Sequence, residues 1–398
     1  MFYLKQLSST LQQKRMTSVW IFSALFGLMV IYISMIPSPI QPNSYVYPKP
    51  LPILEGALQR NTLLQKAKKL FEGQILGPES ITADKNGVLY TGAQDGRILA
   101  FNSTHLWTIT RTGKDVPGCG SFELEPVCGR PKGLKFNKNG DLLVLDAYFG
   151  LLKVNVTTGQ MEMLMSSKTG IDGVPFSFLN SLDIVESGLV YFTDSTTRWG
   201  RRHYRYEVIE VNALGRLIEY NPETGTARQL LGNLHLANGL ALSQDESFLV
   251  LAEMSVCRLT KYYLKGPKAG QTEIFADNLP GYPDNIKINS RGNFYVGLGA
   301  VRYEGVSKLG PFLDLVGPYP GIKNFIAKVT PLFLFDIFVP RHAIVLELTP
   351  DGKVCTSLHD PTGEVTTAVG EAYEHMGYIY LAHFKSTFIG QIDIRDIQ

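Results

Sequence analysis

The residue types best able to do chemistry recur at one spacing. Eight residues before Gly87, Gly140, Gly188 and Gly292 stand Glu79, Lys132, Asn180 and Asp284, and Asn238 stands eight before Glu246, which takes the place of the turn glycine in its stretch. Asn285 follows Asp284, and Val369 fills the sixth position of the series. Glu79, Asn180, Asn238, Asp284 and Asn285 together offer five oxygen-bearing side chains and two negative charges. If the fold brings them to one point, they suit Ca²⁺, which takes about 6–8 oxygens including waters. Mg²⁺ demands a stricter octahedron and is the poorer match. The competing reading is structural, with Asn and Asp satisfying local backbone groups at the start of each strand.

The elements that must position these side chains are visible as repeats. "GPESITADKNGVLYTG", "GRPKGLKFNKNGDLLVLD", "FLNSLDIVESGLVYFTD", "LANGLALSQDESFLVLAE", "YPDNIKINSRGNFYVGL" and "AVGEAYEHMGYIYLAHF" each read as strand, turn and alternating second strand. Further strands follow, such as "GRLIEYN" and "AIVLELT". Six units over residues 77–398 predict an all-β, six-bladed β-propeller, with 302–340 inserted on one face. Two stacked sandwiches compete, but they do not explain a repeated strand-turn-strand unit. In a propeller the first strand of each blade lines the central channel, so the recurring position points at one axis.

Composition sets the outer bounds. Hydrophobic residues make up 44% and charged residues 19% of 398, and the net charge of +2 comes without a long basic run, which gives nucleic-acid binding no support. Residues 17–36 contain no charge and are long enough to span a bilayer. Lys5, Lys14 and Arg15 precede them, so residues 1–16 are expected in the cytoplasm and the body outside the cytosol, as a type II signal anchor at the cell surface or endoplasmic reticulum. A cleaved signal peptide is the rival, with a longer apolar core than such peptides carry. Residues 37–76 read as a proline-rich extended stem followed by a short helix. Asn102 and Asn155 head glycosylation acceptor triplets. Cys119 and Cys128 are expected to form a disulfide in an oxidising compartment, a metal pair being the alternative, while Cys257 and Cys355 read as buried thiols.

The motifs "GPESI", "VCGRPKGL", "FTDSTTRWGRR", "GRLIEYNPETG", "LPGYPDNIK", "RHAIVLELTPDG" and "EHMGYIYLAHFKSTF" resemble the calcium-dependent six-bladed propellers that include paraoxonases, gluconolactonases and strictosidine synthases. The resemblance runs over essentially the whole chain. It implies that Glu79, Asn180, Asn238, Asp284 and Asn285 hold a catalytic calcium, and that the substrate is a small ester or lactone. It also matches the Cys119–Cys128 loop to the disulfide loop of the strictosidine synthase branch.

Departures from the pattern are equally specific. Lys132 stands where paraoxonases carry a histidine, and "VLDAYFGLL" supplies no partner histidine. Ser80 and Ser181 replace acidic neighbours of a second, structural calcium, so one ion is expected. The general base is unassigned; Lys132, His383 and Glu371 are the candidates, with Glu374 an alternative register for the last. Asp146, Asp194 and Glu253 recur at the ends of second strands, where acids more often bind backbone amides than substrate. Two functions of different class follow: a membrane-anchored arylesterase or lactonase, or a non-catalytic ectodomain that calcium stiffens and whose surface loops bind a protein partner. Strictosidine-type condensation is the weaker third.

Overall fold

The structure is a computed structural model describing residues 2–305 and 309–397. Among the described residues, the strands form six four-stranded antiparallel sheets arranged as the blades of a propeller. The innermost strands are Ile81–Ala83, Pro131–Phe136, Leu179–Ile184, Ala237–Leu242, Gly281–Ile288 and Glu371–His375. Each contacts the next, and the first contacts the last, which closes the ring. The sixth blade takes its outermost strand from Lys68–Leu70, which pairs with Ile389, Gly390 and Gln391. Closure therefore uses chain that lies ahead of the first repeat.

The core lies between neighbouring blades rather than within one. Tyr90, Ile98 and Ala100 of the first blade pack on Leu134, Val144 and Leu152 of the second. Leu143, Leu145 and Leu151 of the second pack on Leu182, Phe192 and Ile218 of the third. A strand buried on both faces needs no polar alternation, which is why Phe248–Glu253 is buried from end to end.

The acids at the ends of second strands brace the blades, as expected. Asp146 accepts from the backbone N–H of Arg130, Asp194 from that of Phe178, and Glu253 from that of His235. Each acceptor thus holds the start of its own blade's first strand, where the channel-facing residues sit.

Three segments depart from expectation. Residues 54–73 form no α-helix; they make 3₁₀ turns at Gly56–Leu58 and Leu63–Lys66, then the strand Lys68–Leu70. Leu64 and Ala67 are drawn into the core between the fifth and sixth blades, and strand pairing overrides helical spacing. The proline-rich segment is extended but is not a spacer. Ile40 is buried with Ile209 and Ala327, the Asn43 N–H donates to Glu210 O at 3.3 Å, and the Tyr45 N–H donates to Gly317 O at 3.0 Å. Cys257 is buried as expected, whereas Cys355 is exposed on an outer strand.

Helices occur at the N-terminus and in the connections. The first, α1 (Phe2–Met35), carries a candidate membrane span at Met16–Met35 with mean hydropathy 2.0, none of it buried against the body. The others are α2 (Glu125–Cys128), α3 (Tyr204–Glu210), α4 (Leu309–Val316) and α5 (Pro320–Val329). The strand order places α2 to α5 at the channel end where the innermost strands begin. Asn102 and Asn155 are exposed in hairpins between third and fourth strands, at the opposite end.

Candidate functional site

Local irregularity aims the channel residues inward. In the third blade Leu179 faces Asp194 but Leu182 faces Phe192, so Asn180 and Ser181 share one opposing residue. The same slip sets Asn238 and Gly239 in the fourth blade, and Asp284 and Asn285 in the fifth. These are β-bulges, which turn a side chain out of the regular pleat. In the fourth blade the residue that follows the column position must also be small. A Cβ on Gly239 would lie 2.5 Å from Asn285 Cα and from Asp284 O. Asp284 and Asn285 therefore sit at a bulge within the strand Gly281–Ile288, where residues that are poor strand formers are tolerated.

Glu79, Lys132, Asn180, Asn238 and Asp284 line one small cavity of about 30 Å³ at the channel mouth, together with Phe178, Arg201, Tyr204, Met254 and Phe384. Such a volume holds about one or two water-sized species. All five are nearly fully buried. Asn180 Nδ2 donates to Ser195 Oγ at 3.0 Å, and Asn238 Nδ2 lies 3.2 Å from Met254 Sδ. Their Oδ1 atoms have no hydrogen-bond partner among the described residues. Buried acceptors without donors cost free energy unless a ligand satisfies them. Asn285 is adjacent but turned away; its Nδ2 donates to Glu79 O at 3.4 Å, and it does not line the cavity.

The charges are unevenly placed. Glu79 is ion-paired with Lys132 Nζ and lies 3.2 Å from Arg130 Nη2. Burial raises the Glu79 carboxyl, but Lys132, Arg130 and Arg201 outweigh it and bring the pKa down to about 2. Asp284 has no such pair among the described residues. Burial, and then the negative charge of Glu79, push it up to about 7 against the pull of Lys132. Burial also lowers the Lys132 ammonium, with Glu79 and Asp284 opposing the shift.

The remaining sequence candidates sit elsewhere. Glu371 lines neither this cavity nor its neighbour; it accepts from the Ile81 N–H and from Ser80 Oγ at 3.2 Å and lies 3.6 Å from Lys287 Nζ. It ties the sixth blade to the first. His383 lines an adjoining cavity of about 270 Å³. Its ring packs on Phe384, its Nε2 has no partner among the described residues, and burial drives its pKa to about 3, so it is neutral near pH 7. The larger cavity shares Tyr204, Met254 and Phe384 with the small one and adds Ile209, Leu313, Phe335 and Val339. A mostly apolar chamber thus leads to a polar end point.

Arg201, Tyr204 and Phe384 line the candidate site and Arg130 pairs with Glu79 beside it, although the repeat register did not single them out. Arg201 and Tyr204 come from the connection Ser195–Leu214, and the run "RWGRRHYRY" was the available signal. Arg201 is fixed by Glu125 at 2.9 Å, and Glu125 also accepts from Tyr148 Oη at 2.6 Å. Glu125 opens α2, whose last residue is Cys128, bonded to Cys119. The disulfide therefore fixes the short helix that orients Arg201. Cys119→Ser is expected to lower stability by about 2–4 kcal/mol for a loop of this length. Denaturant unfolding of the variant beside the parent checks this, and two thiols in a non-reducing peptide map of the parent would overturn it.

Among the described residues no point gathers three or more His, Cys, Asp or Glu side chains. The donor set is instead two carboxylates and two unpartnered amide oxygens, a mixture suited to a hard cation, with Lys132 as the feature that opposes one.

The comparisons agree with this architecture. The strictosidine synthase family model matches residues 180–267, and a strictosidine synthase-like N-terminal model matches residues 56–101. The chain is 40% identical to the adipocyte plasma membrane-associated protein of Rattus norvegicus over 96% of this chain and 99% of that one. It is 36% identical to the protein strictosidine synthase-like 3 of Arabidopsis thaliana over 87% of this chain and 89% of the other. Among solved structures, a putative gluconolactonase superposes with a TM-score of 0.54 at 15% identity, covering 82% of this chain and 91% of that one. A calcium-binding regucalcin of Agrobacterium tumefaciens superposes with a TM-score of 0.51 at 12% identity, covering 81% and 92%. At those identities the superpositions speak for the propeller fold, and the full-length sequence matches speak for kinship: the chain belongs to the strictosidine synthase-like family, among the relatives of the adipocyte plasma membrane-associated proteins.

Proposed function

We propose that this protein is a membrane-anchored, calcium-dependent hydrolase of arylesters or lactones, with one Ca²⁺ at the propeller axis. The observation that carries the reading is the pair of buried, unpartnered oxygens, Asn180 Oδ1 and Asn238 Oδ1, beside Glu79 and Asp284 at the end of an apolar chamber. Those four residues would hold the ion, with Asn285 supporting from behind Glu79. Bound there, calcium supplies a Lewis acid for a carbonyl oxygen. The chain's own contribution is positional. Tyr204, Phe384 and Met254 form the shared wall along which an acyl or aryl group lies, and the apolar lining excludes water from it. Glu79 stays ionised because Lys132 and Arg130 hold it so. His383 is a poor base near neutrality, since a base works best with a pKa close to the working pH. A channel carboxylate or a bound water takes that part.

The Lys132–Glu79 pair favours a second reading, a non-catalytic propeller that calcium stiffens and whose loops bind a partner, because the position used by a catalytic histidine in paraoxonases is occupied by a countercharge. One experiment separates the two. Purified full-length protein is expected to hydrolyse phenyl acetate or a simple γ-lactone with calcium present and to lose that activity with a chelator. Calcium binding without hydrolysis would leave the second reading standing, and neither binding nor hydrolysis would remove both.

The anchor reading rests on Met16–Met35 and the basic residues before it. With the N-terminus cytoplasmic, Asn102 and Asn155 become glycan acceptors on exposed hairpins. Protease added to sealed microsomes is expected to spare the body, and endoglycosidase is expected to shift its mobility. Degradation of the body would reverse the orientation.

A further inference from the structure

The connection between the second and third strands of the fifth blade carries an apolar surface that the propeller does not cover. In α5, Lys323 and Ala327 are buried against the body, while Ile322, Phe325 and Val329 lie on another face and are 42–48% exposed. Leu315 and Tyr319 before this stripe in sequence and Phe333 after it are exposed as well. A helix of a soluble domain normally shows water its polar face. Contiguous exposed apolar groups mark a contact surface.

The same helix touches the end of the candidate span. Lys328 Nζ donates to the carbonyls of Ile33 and Ser34 at 3.3 and 3.2 Å, and Ser38 Oγ donates to Asn324 Oδ1 at 2.6 Å. Residues 324 and 328 share a face of α5 that neighbours the exposed stripe. The chain also allows no clearance. The span ends at Met35, and Ile40 is already buried in the body. Five residues reach at most about 18 Å when fully extended. The body of an anchored protein must then rest on the bilayer, and the end nearest α1 is the one bearing α4 and α5.

Resting on the anchored reading above, we propose that α5 and its flanks, through Leu315, Tyr319, Ile322, Phe325, Val329 and Phe333, are seated in the surface of the bilayer into which α1 inserts. The patch suits that occupant. It mixes aromatic and aliphatic side chains, with Lys328 at its edge, as expected at the headgroup boundary. The glycan acceptor triplets lie at the opposite end of the propeller, so a seated body keeps them away from the lipid. The connection also supplies Leu313, Phe335 and Val339 to the larger cavity, which therefore shares a wall with the membrane contact.

The test uses the full chain in phosphatidylcholine nanodiscs. Cys355→Ser removes the exposed thiol, and Cys257 is buried. A fluorophore is then placed at Phe325→Cys, at Leu25→Cys within the span, or at Asn139→Cys at the far end. The Phe325 label is expected to be quenched by a lipid-borne nitroxide and to resist aqueous iodide several-fold better than the Asn139 label. Iodide access equal to that at Asn139 would overturn the proposal. So would protection from iodide without lipid quenching, which would assign the patch to a protein contact. The Leu25 label reports separately on the anchor: lipid quenching there with water access at Phe325 rejects the seating and keeps the span, and the reverse pattern keeps the seating and rejects the span.

Discussion

Asp284→Ala is expected to weaken calcium binding by at least about a hundredfold, on the order of 2.7 kcal/mol, and Asp284→Asn by less. The cavity is lined by two carboxylates, and Glu79 is already shared with Lys132 and Arg130. Asp284 therefore brings a negative charge that has no ion-pair partner among the described residues, although Lys132 pulls on it. Alanine removes both oxygen and charge, whereas asparagine keeps an oxygen in place. Without calcium the sign reverses. Burial and the charge of Glu79 raise the Asp284 pKa to about 7, well above its ordinary value of 3.8. A raised carboxyl pKa costs stability as pH rises from the unfolded value towards the folded one, and that cost is present at neutrality. Chelated Asp284→Asn should then melt above the chelated parent, and the order should invert when calcium is added. Calorimetric titration and paired melting curves of the parent and both variants are the measurements. Equal calcium affinity in all three would reduce the motif to a strand junction.

The site was readable from sequence to the extent that it repeats. One register through the turn position, glycine in all but the Asn238 stretch, placed Glu79, Lys132, Asn180, Asn238 and Asp284 around a single cavity, because each first strand enters the channel at the same height. The reason these residues leave the pleat was not readable: a bulge is a slip between two strands, and it leaves no mark in either alone. Asn285 shows the consequence, since its side chain, one position on in the bulge, donates to the Glu79 carbonyl of the first blade instead of entering the cavity. Arg201 and Tyr204 could not be placed either. They come from a connection outside the repeat, and Arg201 owes its position to Glu125, 76 residues earlier. The N-terminal segment misled for a related reason. Its helical spacing was genuine, but Lys68–Leu70 pairs with Ile389, Gly390 and Gln391 as the outermost strand of the sixth blade.

The second large effect concerns Lys132. Lys132→Met keeps the length and apolar stem of the side chain and removes the ammonium. Unit charges about 4 Å apart interact by roughly 4 kcal/mol at an effective dielectric of 20, and a divalent ion would feel more. Arg130 and Arg201 remain to neutralise part of the change, so a calcium affinity gain of at least about tenfold, near 1.4 kcal/mol, is the expected result. The same substitution strips Glu79 of its closest partner in a buried site. Removing one member of a buried pair costs about 3–5 kcal/mol, and Arg130 at 3.2 Å should hold the loss below that range. Chelated Lys132→Met should therefore be less stable than the chelated parent, while the calcium-loaded variant regains the difference. Relative to the parent, calcium thus shifts Lys132→Met upwards and Asp284→Asn downwards, so the two variants check one another. If Lys132→Met bound calcium no better than the parent, the ammonium would not compete for the site, and Glu79 would belong to the bracing of the channel rather than to the metal.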